Sequence, residues 1–286
     1  MKRFKLETAQ GSFAVCDYGG KGQDMLMVHG TGHNLLVWQP LVECLKNDFH
    51  LYAFDLRGHG QTSVDSTSYE QYWHDINFIL KALRLKKPVL VGHSSGGYAV
   101  TAHAAKGREC SGIVVLDGFV LDERKVGEKD KAYSFDKQKL FEMFRYGWHA
   151  NGDELESYIK EVCAAAPSDW LNQGIDIELV EQVTRNSFLN EGGVYVRRPV
   201  MEELDILSNP EREAEIYPAR DIYNRVNVPM GLVLASHGLY AARKSEVKTL
   251  VENNPKRYFA KVDAGHNLHM QIPQLISVFI LKYFRT

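Results

Sequence analysis

Over the first 118 residues, short apolar runs that stop at turn residues alternate with stretches of helix-like apolar spacing. The runs at 25–28, 50–54, 88–91 and 113–116 end at His29-Gly30, Asp55, Gly92 and Asp117. Continuous apolar runs of this length read as strands buried on both faces, with the polar residues at their carboxyl ends. Between them, residues 35–45 and 69–85 have the recurrence of amphipathic helices, and the small residues at 96–105 predict a helix that can pack close to a sheet. Strand and helix in alternation predict an α/β fold with a mostly parallel central sheet flanked by helices.

The alternation stops at residue 119. From there to 227 the chain is charged and aromatic, with helical stretches at 137–146, 154–165 and 177–185 and no strand of the earlier kind. Strand spacing resumes at 230–235, followed by a helix at 242–253, a strand at 257–262 and a closing helix at 271–284. We therefore expect one core domain formed by 1–118 and 228–286, interrupted by an inserted helical lid at 119–227. No internal repeat or low-complexity tract breaks this arrangement.

Composition narrows the class of partner. The chain has 286 residues, 44% apolar and 24% charged, with a formal net charge of -2. That balance supplies no general attraction to nucleic acid or to an acidic membrane surface, so the expected partner is a small molecule. The first residues carry the cations Lys2 and Arg3 but no apolar core of signal-peptide length, and no stretch approaches the roughly 18 apolar residues of a membrane span, which predicts a cytoplasmic protein. Cys16, Cys44, Cys110 and Cys163 have no metal or dithiol spacing and are expected to be plain thiols. The histidines are scattered, and neither a metal nor another cofactor is expected. A monomer or homodimer fits this picture.

Three segments carry chemistry. Gly92-His93-Ser94-Ser95-Gly96 sits between a predicted strand and a predicted helix, the setting a G-x-S-x-G nucleophile elbow requires. Alone the pattern is common by chance; in this setting it makes Ser94 the candidate nucleophile. His29-Gly30-Thr31-Gly32 is a glycine-rich turn after another strand, where the N–H of Thr31 could join that of Ser95 as an oxyanion donor pair. Asp263-Ala264-Gly265-His266 follows the last strand and makes His266 the candidate base. His29, His33, Trp148 and His237 are expected to contact substrate, and Phe141, Phe144, Tyr146, Trp170, Phe188 and Tyr195 could roof an apolar pocket or form the lid's own core.

Taken together, HGTG, the stretch FDLRGHGQTS at 54–63, GHSSGG and AGHNLHMQIP at 264–273 resemble the α/β-hydrolase superfamily, in particular its single-domain members with a helical lid. The resemblance implies acyl transfer, with Ser94 attacking a carbonyl and His266 moving the proton. Asp55 and Arg57 match a loop whose usual role is structural. One departure stands out. Relatives carry the triad acid just after the strand that follows the lid, but here that stretch reads Leu234-Ala235-Ser236-His237-Gly238-Leu239-Tyr240, and no carboxylate follows until Glu246. Asp117, on the neighbouring strand end, is the expected replacement, with Asp263 a weaker rival. The reaction expected is hydrolysis of a carboxylic ester or lactone, with some similarity to esterases that open bulky rings such as macrolides. A carbon-carbon bond hydrolase and a receptor-like binding protein on the same scaffold are the alternatives.

Overall fold

The computed structural model describes residues 1–123, 137–208, 210 and 214–285. Its first half builds strands β1 (Lys2–Thr8), β2 (Gly11–Gly20), β3 (Gln23–Val28), β4 (Phe49–Phe54), β5 (Val89–His93) and β6 (Gly112–Leu116). Helices α1 (Gln39–Leu45), α2 (Gln71–Leu83) and α3 (Ser95–Ala105) connect the last four. After the insertion come β10 (Met230–His237), α8 (Lys244–Thr249), β11 (Arg257–Gly265), α9 (Leu268–Gln271) and α10 (Pro273–Phe284). The sheet runs β1-β2-β4-β3-β5-β6-β10-β11, parallel from β4 onward, with β1 and β2 added antiparallel at one edge.

The central strands are apolar because both of their faces are covered. Every residue of β5 and β6 is buried. One face packs Trp73 and Ile76 of α2 and Ala99 and Val100 of α3; the other packs Leu41 of α1 and Ile276 and Ile280 of α10. The small residues of α3 have a specific cause. A Cβ on Gly96 would lie 2.1 Å from the Val28 carbonyl oxygen, and one on Gly97 would lie 2.9 Å from the Gly118 carbonyl oxygen. Only a bare backbone permits so close an approach, and it brings the elbow down onto the strand ends.

The segment between β6 and β10 contains α4 (Lys137–Phe144), β7 (His149–Ala150), α5 (Gly152–Ala165), α6 (Ile177–Asn186), β8 (Phe188–Glu191), β9 (Val194–Arg197) and α7 (Met201–Ser208). It is not purely helical as expected: β7, β9 and β8 pair into an antiparallel three-stranded sheet. Gly192 and Gly193, both at positive φ, make the two-residue turn between β8 and β9, for which glycine is favoured. Leu155, Tyr158, Ile159 and Phe188 form a small core of this segment's own. Buried polar groups join it to the sheet domain. The Asn34 amide donates to the Val183 carbonyl at 2.8 Å and to Ser187 Oγ at 2.9 Å, and Gln61 Nε2 donates to the Asn186 and Phe188 carbonyls. Such groups hold position firmly because an unpaired buried amide is costly. Among the described residues, no helix is long and apolar enough to cross a membrane.

Candidate active site

Ser94 follows β5 and starts α3 with φ 52 and ψ -125, a conformation that L-residues rarely adopt and that costs about 1–3 kcal/mol. Its neighbours hold it there. The Ser94 N–H donates to the Leu116 carbonyl at 3.1 Å, and the Gly97 N–H donates to the Ser94 carbonyl at 2.8 Å. Cβ atoms on Gly92 and Gly118 would fall 2.1 Å from the carbonyl oxygens of Gly96 and Ser94, and one on Gly30 would fall 2.8 Å from the Ser94 Cβ. Glycine on each side is therefore a steric requirement of the elbow.

Asp117, directly after β6, is itself at φ 43 and completely buried. Its Oδ2 lies 2.7 Å from His266 Nδ1 and accepts the Leu239 N–H at 3.1 Å; Oδ1 accepts the Ala235 N–H at 3.2 Å. Three donors on one carboxylate compensate its burial. Gly238 makes the room, since a Cβ there would meet Asp117 Oδ2 at 2.1 Å. The loop after β10, which lacks an acid, thus supplies both the space and a backbone N–H for an acid from the adjacent strand. Bonding to Asp117 assigns the proton of His266 to Nδ1 and leaves Nε2 as the basic nitrogen. Asp263 has no part in this: its side chain is 91% exposed and bonds Ser236 Oγ and His237 Nε2.

Neutral rings surround His266. His93 lies against it at 4.6 Å between ring centres and donates Nε2–H to its carbonyl at 3.0 Å, while His33 and His269 pack on His93. Burial pushes the His33 imidazole down to about 3 and holds His93 and His269 well below the usual range. They carry no positive charge at neutral pH and so do not oppose a cation on His266. Among the described residues, no group of three His, Cys, Asp or Glu side chains is placed to hold a metal ion.

Ser94 and His266 line one cavity of about 720 Å³, together with Thr31, His33, Ser95 and walls from the insertion. The turn of Thr31 differs from expectation in one respect. Its N–H is not open to an oxyanion but donates to Ser95 Oγ at 2.9 Å, and the two hydroxyls are also bonded at 2.9 Å.

Of the four residues expected to touch substrate, the structure places His33 on the cavity wall and the other three elsewhere. His29 is wholly buried behind the turn, with Nδ1 bonded to the Gly30 carbonyl and Nε2 accepting the Leu56 N–H at 3.0 Å. Trp148 packs edge-on against Tyr158 and Phe188 in the core of the insertion, under the Arg145 guanidinium. His237 points outward, its side chain 73% exposed and bonded to Asp263. Of the aromatic residues considered from sequence, Phe144, Tyr146 and Trp170 line the cavity. Tyr69, Tyr72, Tyr98, Asn267 and Arg197 line it as well. Nothing in the sequence singled these out: Asn267 stood in a motif read for His266, and the others in stretches read only for periodicity or composition.

Comparison with known proteins identifies the family of the fold. The sequence pattern of the alpha/beta hydrolase fold matches residues 25–273. Protein phosphatase methylesterase 1 of Bos taurus is 35% identical over 130 residues, which cover 41% of this chain and 34% of that protein. The chain thus matches about a third of the length of that relative. A serine hydrolase-like protein of Danio rerio is 25% identical over 282 residues, covering 92% of this chain and 82% of its own. Among solved structures, E-2-(acetamidomethylene)succinate hydrolase superposes with a TM-score of 0.76 at 20% identity, over 100% of this chain and 99% of that one, a likeness of fold. With a matched pattern that runs from β3 to the start of α10, the chain belongs to the alpha/beta hydrolase fold family.

Proposed function

We propose that the protein is a serine hydrolase that cleaves a carboxylic ester or lactone through an acyl-enzyme on Ser94. The observation that carries this reading is the 2.7 Å bond between Asp117 Oδ2 and His266 Nδ1, behind a histidine that shares a cavity with the strained Ser94. In the first step Ser94 Oγ bonds to the substrate carbonyl carbon and its proton passes to His266 Nε2. Asp117 holds the resulting imidazolium by its Nδ1–H. The carbonyl oxygen becomes an oxyanion, which the N–H groups of Ser95 and Thr31 receive once Ser95 Oγ turns away from Thr31. The alcohol leaves with the proton from His266. Water then adds to the acyl group, giving its proton to the same nitrogen, which passes it to Ser94 Oγ as the bond to the acyl carbon breaks and the carboxylic acid leaves.

Two further facts support an ester or lactone of moderate size. A cavity of about 720 Å³ falls in the range that encloses small organic ligands, and its walls are largely apolar and aromatic. Protein phosphatase methylesterase 1 is, by its name, an esterase.

A fluorophosphonate probe tests the reading directly. It is expected to label Ser94 stoichiometrically, and Ser94→Ala is expected to abolish both labelling and cleavage of p-nitrophenyl acetate without loss of fold. Failure of the wild-type protein to react, or a Ser94→Ala variant with more than about a tenth of the wild-type rate, would remove the nucleophile from the account and favour a binding protein.

A further inference from the structure

Arg197, the last residue of β9, is one of the residues lining the cavity, yet only 8% of it is exposed. Its backbone is pinned on both sides: the N–H donates to the Trp148 carbonyl and the carbonyl accepts the Gly147 N–H, each at 2.9 Å. The side chain is held as well. Nε donates to the Phe144 carbonyl at 3.4 Å, and the guanidinium carbon lies 5.9 Å from the Tyr146 ring centre and 5.4 Å from that of Phe188. Nη1 is buried without a hydrogen-bond partner, and among the described residues no carboxylate pairs with Arg197. Among the described residues, the one carboxylate on the cavity wall, Asp169, is turned to the Leu171 N–H and the Asn172 amide.

A guanidinium removed from water and left without a counter-charge is costly, and buried charges are as a rule paired, which leaves room here for a charge brought by a ligand. Resting on the Ser94 reading above, we infer that Arg197 is a subsite for a carboxylate carried by the substrate, so that the preferred esters are monoanionic. The charge count sets the class. Arg197 is the only Lys or Arg lining the cavity among the described residues, so one negative charge is balanced and a phosphate dianion would be left with an unpaired charge. The planar fork of arginine also matches a carboxylate in two-point contact, which lysine cannot reproduce. The carboxylate can stand on the acyl side or the alcohol side of the scissile bond.

The test compares charged and neutral esters of equal shape. On the acyl side, p-nitrophenyl hydrogen adipate is set against p-nitrophenyl methyl adipate; on the alcohol side, the butyryl ester of 3-hydroxybenzoate is set against that of its methyl ester. Wild-type kcat/KM is expected to favour the charged member of at least one pair by about tenfold or more, as a charge-assisted bond in a dry site provides. Arg197→Gln is expected to bring that ratio, in which any general loss of activity cancels, to about one or below. If Arg197→Gln does not fold, Arg197→Lys replaces it, and a preference reduced at least about threefold supports the assignment. A wild-type ratio of one or less in both pairs, or a preference unchanged in the variants, overturns it. Cleavage of the neutral esters reports separately on Ser94: if Ser94→Ala leaves that cleavage intact, the proposed function fails, whereas Ser94-dependent cleavage without charge preference removes Arg197 alone.

Discussion

Replacing Asp117 by asparagine changes one atom of the carboxylate and leaves its volume, which isolates the role of the charge. The structure fixes what the amide would meet. Oδ2 faces two donors, His266 Nδ1–H at 2.7 Å and the Leu239 N–H at 3.1 Å, and Oδ1 faces the Ala235 N–H at 3.2 Å. Either orientation of the amide therefore sets an NH₂ group against a backbone N–H. If the NH₂ takes the Oδ2 position, His266 must accept at Nδ1 and carry its proton on Nε2, where it cannot deprotonate Ser94. If it takes the Oδ1 position, the tautomer survives but no negative charge faces the imidazolium. We expect Asp117→Asn to lower kcat roughly 10³- to 10⁴-fold, the scale of a misoriented imidazole. The unmatched buried N–H should cost about 1–3 kcal/mol of stability, so the fold persists. Release of p-nitrophenol from p-nitrophenyl acetate, with circular-dichroism melting as the control for fold, measures both. Glu246→Gln and Asp263→Asn should stay close to wild type, because Glu246 pairs with Arg243 and Asp263 lies at the surface. A loss smaller than about tenfold in folded Asp117→Asn would show that the buried contact is structural and has no part in orienting a base.

Ser95→Ala frees the Thr31 N–H that the Ser95 hydroxyl now occupies, and because displacing that bond costs about 1 kcal/mol, kcat/KM for small esters should rise about two- to fivefold; a fall beyond tenfold in the same assay would mean that the hydroxyl itself stabilises the oxyanion. Acid should destabilise the fold well before carboxylates of ordinary pKa protonate. Burial pushes His33 down to about 3 and His59 and His103 down to about 4, so unfolding takes up their protons below their ordinary value of 6.5. Stability is full above that pH and falls on the order of 2 kcal/mol for each by pH 5, while Asp55, raised to about 7 by burial, gains stability over the same range and offsets about one of them. Urea midpoints that stay level or rise from pH 7 to 5 would contradict this account.

The strands at the centre of the sheet were legible because burial on both faces forces continuous apolar runs, and the runs at 113–116 and 25–28 coincide with or lie within β6 and β3. The edge strand β1 was not legible for the complementary reason, whereas β11 at the other edge was read at 257–262. β1 reads KRFKLET, with exposed charges on one face and half-buried side chains on the other, and as the edge of the sheet it gains little burial that a composition pattern could reveal. The β8–β9 hairpin did carry a signal, Gly192-Gly193 between short runs, but its four-residue strands were too short to stand out from the surrounding helical periodicity. The helix expected at 242–253 shortens to Lys244–Thr249, and the one expected from 271 begins at Pro273, where proline favours the first turn.

Within the site, what could be read from sequence was what backbone geometry demands. Glycines at 30, 92, 96 and 118 are required by contacts of 2.1 to 2.8 Å around Ser94, so they leave a trace in sequence that any side chain would erase. The same logic explains why Asp117 could be assigned although it comes from an unusual strand. An acid that leaves the loop after β10 must enter from a neighbour, and β6 is the strand paired with β10 on the side of the elbow. Gly238 is a trace the sequence reading passed over: a residue without a side chain in that loop is what admits the Asp117 carboxylate to within reach of His266. Substrate contacts follow no such rule. His29, Trp148 and His237 sit close in sequence to motifs or in the aromatic insertion, yet whether a side chain turns into the cavity is set by packing that the local sequence does not record. Arg197 makes the point from the other side: as the first of two adjacent arginines at the end of a short strand it reads as surface charge, and only the fold shows that it is buried, pinned and missing a counter-ion.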